Sequence, residues 1–485
     1  MELQNAIGHG NPLYTGELRD LSTLDIALSP LDARYRKYTS ELQNYLSEPA
    51  LNRARLYIEI EWFIYLCNLQ KIKHVEPLNV EEMACLRKLV TDFGEETIAE
   101  LAKLEKVTAH DVKAVEYYLK LKLDELSQKN LFDKDVSQYK ELVHFGCTSE
   151  DVNNLAYALN IKNAFNSVWL PAVLQLMREL EKSAELCAAL PMLARTHGQP
   201  ASPTTLGKEL AVFGHRLRSV VERAKNITIF GKFNGATGTY GAYYVAFPDI
   251  DWRKVTKNFI NQLKLTQNPL TTQIESHDWQ VDLYNQIVHA NNIMLDFATD
   301  MWSYISLSYF TEAPVAGEIG SSAMPHKINP IRFENAEANL QISNSLFTSF
   351  TNSLPKSRFQ RDLSDSSTQR NIGSAFAYSL IAIYNLLEGW KRIAVNRAVI
   401  ADDLESNPQV LSEAIQSVLR AAIITGETSC KSPYEALKTL TRGNDITKKS
   451  LHDFIKTLDL PAATKSMLLN LSPSDYTGIA EKLVI

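Results

Sequence analysis

The longest regular pattern in the chain runs from His277 to Phe310, which contains neither Gly nor Pro. Ile287, Met294, Phe297, Met301 and Ile305 recur there at intervals of three to seven residues, the spacing of one helix face. Helical throughout, the segment would be about 50 Å long. Asn154 to Leu190 carries the same period, with Pro171 as an interruption. Thr205 to Ile229, Glu334 to Leu354 and Ala375 to Val395 predict three more long helices. Strict strand-type alternation is hard to find. The pattern predicts an all-α fold: a mostly helical N-terminal part over 1–138, a central long-helix bundle over 139–396, and a smaller helical part over 397–485. Residues 1–25, with Gly8, Gly10 and Pro12, read as a loose leader.

Composition sharpens this picture. Only 19 of 485 residues are glycine, roughly half the ~7% of an average chain, and four of them (Gly231, Gly235, Gly238, Gly241) fall within eleven positions. That cluster predicts a turn where two segments pass closely. The net charge of −6 argues against a protein whose work is to hold nucleic acid on a basic face. No run approaches 18 apolar residues; the most apolar early stretch, Leu56 to Leu69, contains Glu59 and Glu61, so no membrane association is expected. No basic region followed by an apolar one opens the chain. The five cysteines are scattered without a CxxC pair, which fits reduced thiols in a cytoplasmic protein.

The first chemically unusual segment is Gly317 to Pro330. Gly320, Ser321 and Ser322 hold a helix poorly and predict a loop, which lands on Asn329-Pro330, read as the N-cap and first residue of a helix beginning near Ile331. A helix N-terminus beside Lys327 attracts anions. Two hydroxyls, an ammonium and a helix end therefore share one volume.

Gly320-Ser321-Ser322-Ala323-Met324-Pro325-His326-Lys327-Ile328-Asn329-Pro330 resembles the signature loop of the fumarase/aspartase superfamily, GSSxMPxKxNP. Arg195 to Glu209, with Thr196-His197-Gly198-Gln199-Pro200, resembles the adenylosuccinate lyase form of that superfamily's histidine motif; fumarases and argininosuccinate lyases typically read THLQ. Ser29 to Tyr35, His110 to Lys113, His144 to Asp151, Thr271 to Asp278 and Arg358 to Asn371 extend the similarity. Lys431 to Leu437 and Arg442-Gly443 continue it toward the C-terminus. The pattern is similar to the bacterial type of that family, with one departure: Ala109 stands before His110 where that type often carries Asn.

The resemblance implies a three-domain all-α lyase assembled as a homotetramer whose active sites are shared between subunits. Its implied substrates are small molecules, adenylosuccinate and the related succinyl-carboxamide ribotide (SAICAR), each losing fumarate in purine nucleotide biosynthesis. Ser321 is implied as general base and His197 as general acid. Lys327 and Asn329 would stabilise charge on the reacting carboxylate, and Glu334, two turns beyond Lys327, would pair with His197. A nucleotide phosphate calls for cations: Arg361 and Arg370 flank Ser366, and the Ser366–Arg370 spacing lets both reach one anion. Arg34, Tyr35, His110, Asp111, Thr148, Ser149, Gln273, Ser322 and Asn335 are implied substrate contacts. Taken alone, each of these positions also has a plain structural reading: a solvated basic face for the arginines, a satisfied structural histidine for His197, an exposed helix carboxylate for Glu334.

Other chemistries lack their motifs. There is no GxxxxGK[ST], no GxGxxG after a strand, no HExxH, and Ser321 lies outside any GxSxG, so neither a cofactor nor a metal is expected. Two rivals stay open at this level: another superfamily lyase, such as one acting on argininosuccinate, and a helical structural protein that keeps the fold without turnover.

Overall fold

The computed structural model describes residues 27–129, 131–132, 134–312, 328–441 and 446–484. The predicted leader lies outside the described residues. The elements that position the site are α1 (Glu48–Asn68), α2 (Asp111–Gln128), α3 (Ser149–Ala164), α4 (Leu170–Leu186), strands β1 (Pro191–Thr196) and β2 (Gln199–Thr205), and α5 (Leu206–Lys225). They continue with α6 (Asp278–Ser306), β3 (Phe310–Glu312), α7 (Ile331–Ser353), α8 (Ile372–Trp390), β4 (Ile393–Val395) and α9 (Arg397–Glu405). The fold is all-α in class; strands among the described residues form three two-stranded sheets.

Five long helices close a ring: α4 packs on α5, α5 on α6, α6 on α7, α7 on α8, and α8 back on α4. Their apolar stripes meet in one core that extends from Leu31 to Ile400. A separate core, Leu411 to Leu468, serves the C-terminal helices. The bundle core contains a polar chain in which the Trp169 indole donates to Ser379 (2.8 Å), Ser379 to Asn291 (2.7 Å), and Asn291 to Ser343 (3.1 Å). These groups are buried and partnered, so the chain fixes the register of α6, α7 and α8 without the cost of an orphaned polar atom.

Helix starts follow the local chemistry. The Ser47 hydroxyl accepts from Ala50 N–H at the head of α1, and Thr205 accepts from Lys208 N–H at the head of α5. Three sequence expectations need correction. Pro171 does not break its helix: Phe165–Trp169 widens into a π segment between α3 and α4, where Leu170 N–H reaches back to Phe165. A wider turn accommodates a ring that cannot donate. The long segment from His277 ends as helix at Ser306, and Phe310 opens β3 instead, pairing with Val395 of β4. Strand pairing, absent from the expected pattern, also forms the β1–β2 hairpin.

The glycine cluster behaves as expected. A Cβ on Gly238 (φ 76°) would lie 2.2 Å from the Thr271 carbonyl oxygen, so the two segments meet backbone to backbone. Glu59 and Glu61, embedded in an apolar run, are buried and paired: Glu59 with His144 at 2.6 Å, Glu61 with Arg87 at 2.6 Å. Among the described residues no helix is long and apolar enough to cross a membrane.

Candidate active site

The histidine motif sits at the tip of the β1–β2 hairpin. Thr196 pairs with Gln199, leaving His197 (φ 53°) and Gly198 (φ 74°) as the two central residues, both left-handed. That is the primed geometry a two-residue hairpin prefers, and glycine at the second position makes it accessible. Nothing crowds Gly198, so backbone conformation and not space asks for glycine there. His197 is exposed and has no hydrogen-bond partner among the described residues. The sequence pattern gave no hint of this hairpin, because Arg195 to Ser202 does not alternate apolar and polar residues.

A second cluster forms where the N-termini of α2 and α3 come together. His110 is the N-cap of α2; its Nδ1 accepts from Lys113 N–H (3.2 Å), and its Nε2 lies 3.5 Å from the Ser149 hydroxyl. Asp111 binds Arg55 (2.8 Å) and Arg370 (3.1 Å), and Arg370 also binds Glu48 (2.5 Å). Burial alone would raise the Asp111 carboxyl, but Arg55, the Val112 N–H and Arg370 together hold it below the usual range. Glu48, first of the neighbours acting on it, raises Arg370 further above its ordinary value.

This cluster continues as one polar chain through the molecule. Arg55 donates to Asn153 (2.8 Å), Asn153 to Glu150 (2.8 Å), and Glu150 pairs with Arg361 (2.7 Å). Arg361 lies 3.9 Å from Asp365, whose other oxygen meets the buried His277 at 3.3 Å. Burial alone would raise the Asp365 carboxyl, but the His277 hydrogen bond and charge, the Arg361 charge and the Ser366 N–H hold it below its usual range. Arg361 and Arg370 therefore reach different carboxylates: Arg361 takes Glu150 and Asp365, Arg370 takes Glu48 and Asp111. Ser366 lies in the short helix Ser364–Gln369, and Arg370 follows its end.

Thr148 N–H donates to Asp151 (2.8 Å) at the head of α3. The other face of Asp151 meets Lys232 at 2.9 Å, with neither side chain exposed. Lys232 also donates to the backbone carbonyls of Gly235 (3.1 Å) and Gln273 (2.6 Å), and the Gln273 side chain donates to the Ala236 carbonyl (2.9 Å). Thr148 and Gln273 are thus fixed by one buried ion pair. Tyr35 and Asn335 also meet, the amide donating to the phenol oxygen at 3.1 Å. Arg34 is exposed.

Ser321, Ser322 and Lys327 lie outside the described residues. Asn329 is not the N-cap of α7: Pro330 holds that place, and Ile331 N–H returns to the Asn329 carbonyl at 2.8 Å in an inverse γ-turn. Proline at φ −74°, ψ 46° closes that tight turn, leaving the asparagine one residue outside the helix. Glu334 is exposed and accepts from the Trp302 indole at 3.1 Å; no bond joins it to His197 within one chain. Sequence reasoning missed Glu48, Arg55, Glu150, Asn153 and Lys232 as partners. The available signal was their placement: Arg55 precedes an apolar run, Glu150 follows Thr148-Ser149, and Lys232 sits inside the glycine cluster. Among the described residues no three His, Cys, Asp or Glu side chains gather where they could hold a metal ion.

Comparison with known proteins bears on this arrangement. A family model described as lyase matches residues 33–342, and one described as adenylosuccinate lyase C-terminal matches residues 357–477. The adenylosuccinate lyase of Legionella pneumophila (strain Corby) is 46% identical over 94% of this chain and 98% of its own length. Those of Haemophilus influenzae and Escherichia coli (strain K12) are 42% and 41% identical, each over 96% of this chain and 99% of their own. The crystal structure of 3-carboxy-cis,cis-muconate lactonizing enzyme from Pseudomonas putida superposes with a TM-score of 0.68 at 19% identity, covering 93% of this chain and 97% of that one; this likeness concerns the fold alone.

Proposed function

We infer the activity from the premise that the chain belongs to the adenylosuccinate lyase family: it is a fumarate-releasing C–N lyase that converts adenylosuccinate to AMP and fumarate. The same chemistry splits SAICAR into its carboxamide (AICAR) and fumarate. The observation that carries the assignment is similarity to curated members over nearly the whole length of both chains.

The elimination removes a proton from the succinyl carbon beside a carboxylate, and the electron pair left behind forms the C=C bond of fumarate as the C–N bond breaks. The departing nitrogen takes a proton. In our reading Ser321 is the base and His197 the acid. Charge accumulates on the neighbouring carboxylate before the bond breaks, so donors fixed in advance around it lower the barrier; Lys327 and Asn329 take that role. Arg370, with Arg361 and Ser366, faces the nucleotide phosphate. Arg34, Tyr35, His110, Asp111, Thr148, Ser149, Gln273, Ser322 and Asn335 complete the contacts with substrate.

The active enzyme in this reading is a homotetramer, with Glu334 of one subunit pairing with His197 of another. Two observations support shared sites. Among the described residues His197, at a hairpin tip, has no hydrogen-bond partner, and Glu334 stands exposed on α7 with the Trp302 indole donating to it. A cytoplasmic setting fits the five free cysteines. The test is direct: purified protein is mixed with adenylosuccinate, SAICAR and argininosuccinate in parallel, and products are quantified by chromatography. Equimolar AMP and fumarate are expected. Turnover of argininosuccinate alone would redirect the specificity, and silence on all three would favour a structural role.

A further inference from the structure

We propose that Asp403, in the C-terminal part of the chain, is a positioning residue that sets the His197 hairpin; the proposal rests on the reading of His197 as the acid. Arg195 lies two residues before His197 on β1, and its guanidinium meets the Asp403 carboxylate at 2.6 Å. The Tyr309 hydroxyl donates to the same oxygen of Asp403. One carboxylate oxygen thus gathers donors from the strand that leads into His197 and from the residue that precedes β3, the strand from which the chain continues toward Ser321.

The surroundings make this oxygen a fixed point. Asp403 lies on α9, where the Asn407 side chain donates to its backbone carbonyl at 2.6 Å. The Tyr309 carbonyl accepts from Asn396 N–H at 2.8 Å, at the head of the same helix, and β3 pairs with β4 immediately before it. Leu193 of β1 and Leu404 of α9 share a small buried cluster with Val410, so the hairpin and α9 also meet through apolar contact. Tyr309 is 1% exposed and its hydroxyl is pushed up to about 12, by burial and then by Asp403, so it stays a donor across the working range. A hairpin held only at its base swings at its tip. The Arg195–Asp403 pair sits two residues from the tip and removes that freedom, and a displacement of about 1 Å at a proton-transfer group can cost on the order of a hundredfold in rate.

Asp403→Ala and Asp403→Asn test the idea. The Asp403 side chain is 25% exposed, so these variants are expected to fold. Asp403→Ala should lower kcat about ten- to a hundredfold with KM changed by no more than about threefold, and Asp403→Asn, which keeps the acceptor oxygen, should recover part of the loss. Amide hydrogen exchange over residues 191–205 should rise in Asp403→Ala while the α5–α8 bundle keeps wild-type protection. Wild-type kcat in Asp403→Ala, or exchange that rises equally across the bundle, would overturn the proposal. If the wild-type protein itself fails to cleave adenylosuccinate, the functional reading falls, and unchanged hairpin exchange in Asp403→Ala would sink the tether separately.

Discussion

Lys232 and Asp151 face each other at 2.9 Å with both side chains fully buried, and each makes further bonds to the backbone that shapes the site. A buried pair is worth little over an apolar replacement of both partners, but removal of one partner strands the other charge. Lys232→Met is therefore expected to cost about 3–5 kcal/mol of unfolding free energy, read from urea unfolding. Wild-type stability in that variant would show that Asp151 finds another partner.

His144 and Glu59 give a stability that depends on pH. Burial alone would lower the histidine, but Glu59 at 2.6 Å, with Glu116 and Asp151 nearby, raises it above its ordinary value. A raised folded pKa means the pair contributes fully below about pH 6.5, the unfolded value, and that contribution fades as pH rises through the folded value. Urea midpoints measured from about pH 6 to 9 should fall more steeply for the wild type than for His144→Gln. Parallel profiles would show that the pair does not titrate in this window.

The proposed sharing of active sites between subunits predicts complementation. Ser321→Ala and His197→Gln are each expected to lower kcat by about a hundredfold or more. Mixing the two inactive variants, unfolding them gently and allowing subunits to exchange should restore part of the activity, because some sites then receive an intact residue from each parent. No recovery after demonstrated exchange would place both groups in one chain's site.

The two arginines flanking Ser366 should fail differently. Arg370 is half exposed and opens toward the α2–α3 cluster, so Arg370→Leu should raise KM for adenylosuccinate about tenfold, one lost charge-assisted bond, with a smaller effect on the dephosphorylated substrate. Arg361 is bound to Glu150 and Asp365, whose side chains are almost fully buried, so Arg361→Leu should also cost about 2 kcal/mol or more in stability. Equal behaviour of the two variants, in both KM and unfolding, would contradict the division that the geometry draws between them.

Helix content, the glycine turn and the family were legible from local sequence alone. Apolar spacing along α5, α6 and α7 reports which face is buried, since period and burial share one geometric cause. Thr196 to Pro200 and Gly320 to Pro330 carry the family resemblance as short contiguous runs, which need no tertiary structure to be read. What local sequence did not carry is equally specific. Pro171 reads as a break, yet the chain absorbs it in a π segment because tertiary packing favours a continuous helix on both sides. The β1–β2 hairpin escaped because neither strand alternates apolar and polar residues: β1 groups Met192, Leu193 and Ala194, and β2 carries two prolines. The partners of the site are separated by long stretches of chain: Arg55 finds Asp111, Glu150 finds Arg361, and Arg195 finds Asp403. Packing of elements far apart in the chain brings such residues within hydrogen-bond reach, because a charge selects its counter-charge by distance in space, and distance in space is set by packing. The sequence determined which side chains the protein carries; the tertiary structure decided which of them hold each other.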